Sequence, residues 1–174
     1  MILTEQIGSV QKLTLNRPDK FNSFHREMAL QLQQELDKVA ADKNIRAILL
    51  TAEGKAFCAG QDLAEAIDKE GVGIERIVRE HYNPIILRLR NIEKPIVCAV
   101  NGVAAGAGAN IALACDIVMA ASSASFIQAF SKIALIPDSG GTFFLPRIIG
   151  FGKASALAML GDKVSATDAD RMGM

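Results

Sequence analysis

Residues 95–120 read PIVCAVNGVAAGAGANIALACDIVMA. The run PIVCAV (95–100) is apolar without alternation, which predicts a strand buried on both faces. Gly102, Gly106 and Gly108 follow as a strand-to-helix junction, then an Ala-rich helix, then a second strand-like run at Asp116–Ala121. Strand, helical crossover and strand again is the pattern of an α/β fold with parallel strands.

The pattern extends towards the N-terminus. IRAILLTA (45–52) is another short apolar run, separated from residues 95–100 by a segment of helical character over about 65–92. Val10–Asn16 alternates as a half-exposed strand does, and NRPDKFNSF (16–24) carries turn chemistry. Asn22 or Ser23 is placed to cap a helix running to about Ala41, with Met28, Leu32, Leu36 and Val39 on one stripe. No internal repeat, low-complexity tract or Ser/Pro linker divides residues 1–174, so a single domain is expected. The final stretch, SATDADRMGM, ends where a helix finishes at a glycine, which suggests a fragment of a longer chain.

Composition narrows the function classes. Lys+Arg 19 balance Asp+Glu 19, with 13 of each sign in residues 1–90 and six of each in 91–174. That balance leaves no electrostatic footprint for nucleic acid. The dilute second half fits a buried centre, and a hydrophobic content of 50% excludes a disordered chain. The N-terminal residues lack a secretory pattern, and the most apolar stretch is interrupted by Asn101, Asn110 and Asp116, so no membrane span and a cytoplasmic location are expected. Cys58, Cys98 and Cys115 have neither disulfide nor zinc spacing and read as reduced core residues; no metal is expected. His25 and His81 are lone histidines on predicted helices, expected at the surface. The serines lack a GxSxG elbow, so a serine-hydrolase triad has no support.

Three motifs can carry chemistry. In AFCAGQDL (56–63), Gly60 lets backbone approach a ligand and turns the Gln61 N–H outward; a plain glycine turn reads equally from the same residues. In NGVAAGAGANIALACD (101–116), the glycine spacing is neither GxGxxG nor a P-loop, but a helix start of small residues offers free N–H groups. The Gln61 and Ala107 N–H groups can converge on one developing oxyanion, where losing a donor costs about 3 kcal/mol; close helix–sheet packing is the alternative use of such small residues. In the third motif, residues 124–150, Asp138 stands among apolar neighbours between Pro137 and Ser139-Gly140-Gly141. Burial raises a carboxyl pKa and suits it to moving protons, while a simple N-cap of the next helix remains open.

Together and in this order, the three motifs resemble the crotonase (enoyl-CoA hydratase/isomerase) superfamily over essentially the whole chain. The resemblance implies an α/β fold with a ββα spiral core, an absent C-terminal helical region, and an acyl-CoA thioester as substrate with coenzyme A as part of it and no separate cofactor. It also implies a homotrimer or dimer of trimers. Carried over by motif, the thioester oxygen falls to the N–H groups of Gln61 and Ala107. Substrate contacts fall to Lys20, Phe21, Ala59, Asp62, Leu63, Gly106 and Phe130, with Lys20 as a phosphate partner. The two glutamates of the hydratases correspond to Asn110 and Phe130 here, which disfavours water addition. Asp138 matches the working aspartate of some isomerases, and Asn110 is expected to orient a group near the thioester. Within the superfamily the wording is similar to the ring isomerases of bacterial phenylacetate degradation, so the expected activity is epoxide-to-oxepin isomerisation, 3-enoyl to 2-enoyl isomerisation, or both. Phe126, Phe130, Phe143 and Phe144 would suit an apolar acyl pocket. A hydratase and a non-catalytic acyl-CoA-binding subunit are the alternatives.

Overall fold

Alternating residues at the N-terminus form a hairpin, β1 (Ile2–Ile7) with β2 (Val10–Leu15), antiparallel from Ile2 opposite Leu15 to Ile7 opposite Val10. The structure is a computed structural model that describes residues 1–67 and 71–174. Next comes α1 (Arg26–Ala41), which buries Met28, Leu32, Leu36 and Val39 as their spacing predicts. Its cap is not Asn22 or Ser23 but His25, whose Nδ1 accepts from the Met28 N–H at 3.2 Å. Asn22 is committed elsewhere: it is fully buried, and its amide donates to the carbonyls of Glu53 and Ala56, both at 2.8 Å.

Thereafter the chain advances in strand pairs. β3 (Ala47–Ala52) and β4 (Ala56–Cys58) precede α2 (Leu63–Ala66), α3 (Gly73–Ile77), a π-helical turn at Val78–Tyr82, and α4 (Asn83–Asn91). β5 (Ile96–Val100) and β6 (Val103–Ala105) precede α5 (Ala107–Leu113). β7 (Ile117–Ala120) and β8 (Ser125–Ile127) precede a 3-10 turn at Ala129–Ile133, then α6 (Gly141–Ile149) and α7 (Phe151–Leu160). The last elements are β9 (Lys163–Ser165) and α8 (Ala166–Met172).

The first strand of each pair enters a sheet of order β1-β2-β3-β5-β7, and the second enters a sheet of order β4-β6-β8-β9. From β2 to β7, and from β4 to β8, neighbours run parallel. The expected α/β class and ββα repeat are therefore present, without any repeat in the sequence itself. Strands form at 47–52 and 96–100, but they are not buried on both faces as expected: every second residue is buried and those between are half-buried, because the two faces are covered unequally. The 116–121 run differs: β7 is an edge strand, and Met119 is 62% exposed. The predicted helix over 65–92 is broken into α2 and a longer helical stretch from Gly73, and residues 68–70 of that span lie outside the described residues.

A close backbone contact joins the two sheets' connections. α5 is buried along its whole length, and its Gly108 lies against β4: a Cβ there would sit 2.4 Å from the Cys58 carbonyl oxygen and 2.7 Å from its Sγ. All three cysteines are free and buried, as expected. His81 corrects an expectation, since it is fully buried, not surface-exposed; the π-helical turn rotates it inward, where burial holds its pKa below the usual imidazole value. His25 is half-buried at the helix cap.

Because backbone cannot yield as a flexible side chain does, Gly108→Ala should cost about 1–3 kcal/mol of stability by overpacking. Denaturant titration of the variant against the parent chain checks this, and an unchanged midpoint would contradict the contact.

Candidate active site

Beneath the NRPDKFNSF loop, Phe24 makes a short parallel bridge to Gln61. The Phe24 N–H donates to the Gly60 carbonyl and the Phe24 carbonyl accepts from the Asp62 N–H, both at 2.7 Å. A strand residue bracketed in this way directs its own N–H to the opposite edge. The Gln61 N–H therefore faces away from Phe24, while the adjoining Gly60 lies against the start of α5. Gly60 makes that approach feasible: its φ is +93°, and a Cβ would lie 3.0 Å from the Ala105 carbonyl oxygen and 3.5 Å from the Ala107 nitrogen. Ala107 opens α5, so its N–H has no acceptor within the helix.

Both residues line one cleft of about 250 Å³, together with Ala59, Leu63, Gly106, Phe130 and Asp138. The three sequence motifs, separated by some seventy residues, thus meet at a single site. Apolar Ile74, Ile133 and Leu135 complete much of the wall, and Lys132 also borders it. Those four were missed by the sequence reading, because nothing in their local pattern separates them from ordinary helix and turn residues. Of the aromatic candidates, Phe130 reaches the cleft, whereas Phe126 belongs to the main core. Phe143 and Phe144 instead stack edge-on with each other, with Arg147 over the Phe143 ring and Arg90 over the Phe144 ring.

Asp138 is the one carboxylate among the described residues lining the cleft. It does not cap α6, whose N-cap is Gly140 with no side-chain hydrogen bond. Its Oδ1 instead accepts from the Ser139 hydroxyl at 2.8 Å. Burial pushes its pKa up to about 6, against a smaller lowering from that hydroxyl. Asn110 holds the segment from behind: its Nδ2 donates to the Asp138 carbonyl at 2.8 Å, and its Oδ1 accepts from Gln128 Nε2 at 2.7 Å. Asn110 is fully buried and lies outside the residues that line the cleft, with its amide committed to the Asp138 carbonyl and to Gln128.

Asp62, Lys20 and Phe21 lie outside the lining set. Asp62 caps α2 by accepting from the Ala64 N–H at 2.9 Å and pairs with Arg17 at 2.7 Å. Burial raises its pKa, but the Arg17 hydrogen bond and charge, the Ala64 N–H and nearby Lys20 outweigh it and hold the carboxyl below its usual value. Its side chain is thereby occupied as a structural anchor. Phe21 is 56% exposed at the rim, with its carbonyl accepting from the Ala59 N–H at 3.0 Å. Lys20 is exposed beside it. Cys58 lies under the site, and burial pushes its thiol up to about 12, so it stays protonated.

A model of the enoyl-CoA hydratase/isomerase family matches residues 5–174. The chain is 51% identical over 176 residues to the 1,2-epoxyphenylacetyl-CoA isomerase of Escherichia coli K12, covering 99% of this chain and 67% of that protein. It is 44% identical over 162 residues to a protein of Rhodobacter capsulatus named as a probable enoyl-CoA hydratase, covering 93% of this chain and 62% of that one. Among solved structures, a Mycobacterium abscessus protein described as an enoyl-CoA hydratase/isomerase superposes with a TM-score of 0.94 at 38% identity, over 99% of this chain and 68% of that one. The chain thus spans about two thirds of the length of the relatives it matches. Among the described residues, no helix is long and apolar enough to cross a membrane.

The raised pKa of Asp138 has a stability consequence. Its folded-state value of about 6 exceeds the unfolded carboxyl value, so the folded chain holds this proton more tightly. Stability should fall as pH rises from about 4 to about 6 and stay level above, by roughly 2–3 kcal/mol in all. Asp138→Asn keeps an oxygen to accept from Ser139 and should abolish that loss, becoming more stable than the parent at pH 7.5 and equal near pH 4. Guanidinium midpoints of both proteins across this range check it; parallel profiles would contradict the burial of the charge.

Proposed function

The chain belongs to the enoyl-CoA hydratase/isomerase family, and on that premise we propose that it is an isomerase of acyl-CoA thioesters. The observation that carries this reading is the single carboxylate, Asp138, among the described cleft-lining residues, with its pKa pushed up to about 6. Isomerisation needs one group that takes a proton from one carbon and returns it to another. Hydration needs acid–base groups to activate water as well, and the corresponding positions here are Asn110, occupied behind Asp138, and apolar Phe130.

In this reading the thioester oxygen lies between the Gln61 and Ala107 N–H groups. The Asp138 carboxylate removes the C2 proton of a 3-enoyl thioester, and the C–H bonding pair moves into the carbonyl to give a dienolate. The two N–H donors stabilise the oxygen charge as it develops. Asp138, now protonated, returns the proton at C4, the carbonyl re-forms, and the double bond has moved to C2. A pKa near 6 leaves the group largely ionised at neutral pH while its conjugate acid remains a competent donor. The apolar wall of Phe130, Ile133 and Leu135 suits a hydrocarbon or aromatic acyl group. The named Escherichia coli relative supports 1,2-epoxyphenylacetyl-CoA as a substrate, with the oxepin thioester as product. Coenzyme A would lie along the 59–63 rim, with Lys20 facing its phosphates and Phe21 beside it.

Asp138→Asn should lower turnover of a 3-enoyl-CoA by about 10²–10⁴-fold, the usual contribution of a positioned acid–base group. Thioester binding measured by calorimetry should persist, and parental kcat/KM should rise with pH to a plateau above an inflection near 6. Undiminished turnover by the variant would overturn the assignment. Loss of crotonyl-CoA absorbance in water would instead favour the hydratase activity named for the Rhodobacter relative.

A further inference from the structure

Tyr82 lies fully buried outside the set of residues that line the cleft. It is brought there by the π-helical turn Val78–Tyr82, which shifts the helical repeat so that neighbouring His81 and Tyr82 both face inward. Such single π turns recur where function demands an off-register side chain. The Tyr82 hydroxyl donates to Gln61 Oε1 at 2.7 Å, and Gln61 Nε2 donates to Glu65 Oε2 at 2.6 Å. Glu65 is itself held, its Oε1 accepting from the Arg26 N–H at the start of α1 at 2.9 Å. The Tyr82 ring packs edge-on to Phe24 at 6.2 Å, and Phe24 is the residue whose backbone brackets Gln61.

Both ends of the Gln61 side-chain amide are therefore fixed to parts of the fold that do not belong to the motif. The need for this is local. Gln61 follows a glycine at φ +93° and precedes α2, a helix of four residues; the Phe24 N–H holds the Gly60–Gln61 peptide from its carbonyl side, and the side-chain contacts of Gln61 hold it from the other. A donor to a developing oxyanion loses its effect when it is not held in place. We infer that Tyr82 is a positioning residue of the reaction: acting through the Gln61 side chain, it holds the Gln61 N–H on the thioester oxygen. Burial pushes the phenol well above its ordinary pKa, so it remains a donor at any working pH.

This inference rests on the Gln61 and Ala107 donor pair proposed above, and the test separates the two. The probe is phenylacetyl-CoA labelled with ¹³C at the thioester carbonyl, which has no double bond or epoxide to isomerise, bound to the full chain and read by infrared difference spectroscopy. In the parent protein the bound carbonyl stretch should move to lower frequency than in free ligand. Tyr82→Phe, which keeps the ring and its Phe24 contact, should recover roughly half of that displacement, as expected when one of two donors is misplaced. On 3-enoyl-CoA it should lower kcat about tenfold with little change in KM, the signature of an interaction made in the transition state. Gln61→Met should behave alike, and the double variant should be no worse than either single one, because both changes act through one contact. A full displacement retained in Tyr82→Phe, or additive losses in the double variant, would overturn the positioning role. A parent complex without displacement would overturn the donor pair, and the role of Tyr82 with it.

Discussion

Everything at the cleft depends on a contact made without side chains, that of α5 against β4. Gly108 rests on the Cys58 carbonyl, and Gly60 faces the Ala105 carbonyl and the Ala107 nitrogen. Small residues at these places bring two chain segments, forty-odd positions apart, to backbone contact. Gln61 and Ala107 thereby line the same cleft, as the proposed donor pair requires. A Cβ at position 108 would lie 2.4 Å from the Cys58 carbonyl oxygen, so a larger residue there could not keep this approach. The apolar helix α5, buried along its whole length, is the complement of this arrangement, since a helix seated directly on a strand end has no solvent side.

The electrostatics of the site turn on two carboxylates treated oppositely. Asp62 is met by Arg17 and by the Ala64 N–H of α2, and its pKa is depressed. Asp138 has one hydroxyl partner and an apolar surround, and its pKa is raised. The two environments drive like groups apart, which leaves Asp62 tied into an ion pair and supports the proton-transfer role proposed for Asp138. The position of Asp138 is itself maintained at some conformational cost: Ser139 is buried with φ +50°, in the left-handed region that non-glycine residues seldom adopt. The Gln128–Asn110–Asp138 hydrogen-bond chain ties that turn to α5. Ala107 and Asp138, on two sides of the cleft, thus share one helix as their reference.

Where the sequence reading went astray, a tertiary partner had claimed the residue. Asn22 has the chemistry of an N-cap, but its amide bridges the carbonyls of Glu53 and Ala56, and His25 caps α1 instead. His81 carries no local sign of burial; a π-helical turn, invisible to a 3.6-residue periodicity, rotates it into the core. The run 116–121 is as apolar as a central strand, yet β7 lies at the sheet edge, because apolarity records burial somewhere and not strand order. Asn110 marks the converse case: its position in the motif was legible, while its work on the Asp138 carbonyl was not.

By itself the sequence determined the α/β class, the strands at 47–52 and 96–100, the core stripe of α1, and the three motifs with Gln61, Ala107 and Asp138 at their centres. These are local properties: hydrophobic period sets which face is buried, and glycine marks where the backbone must turn or be approached. Only the tertiary structure decided that the motifs share one cleft, that Asp138 is a half-buried carboxyl bound by Ser139 and not a helix cap, and that Tyr82 grips Gln61 from a π-helical turn. Those outcomes depend on distances between residues far apart in the chain, and on the dielectric that packing creates around them. No local pattern encodes either one.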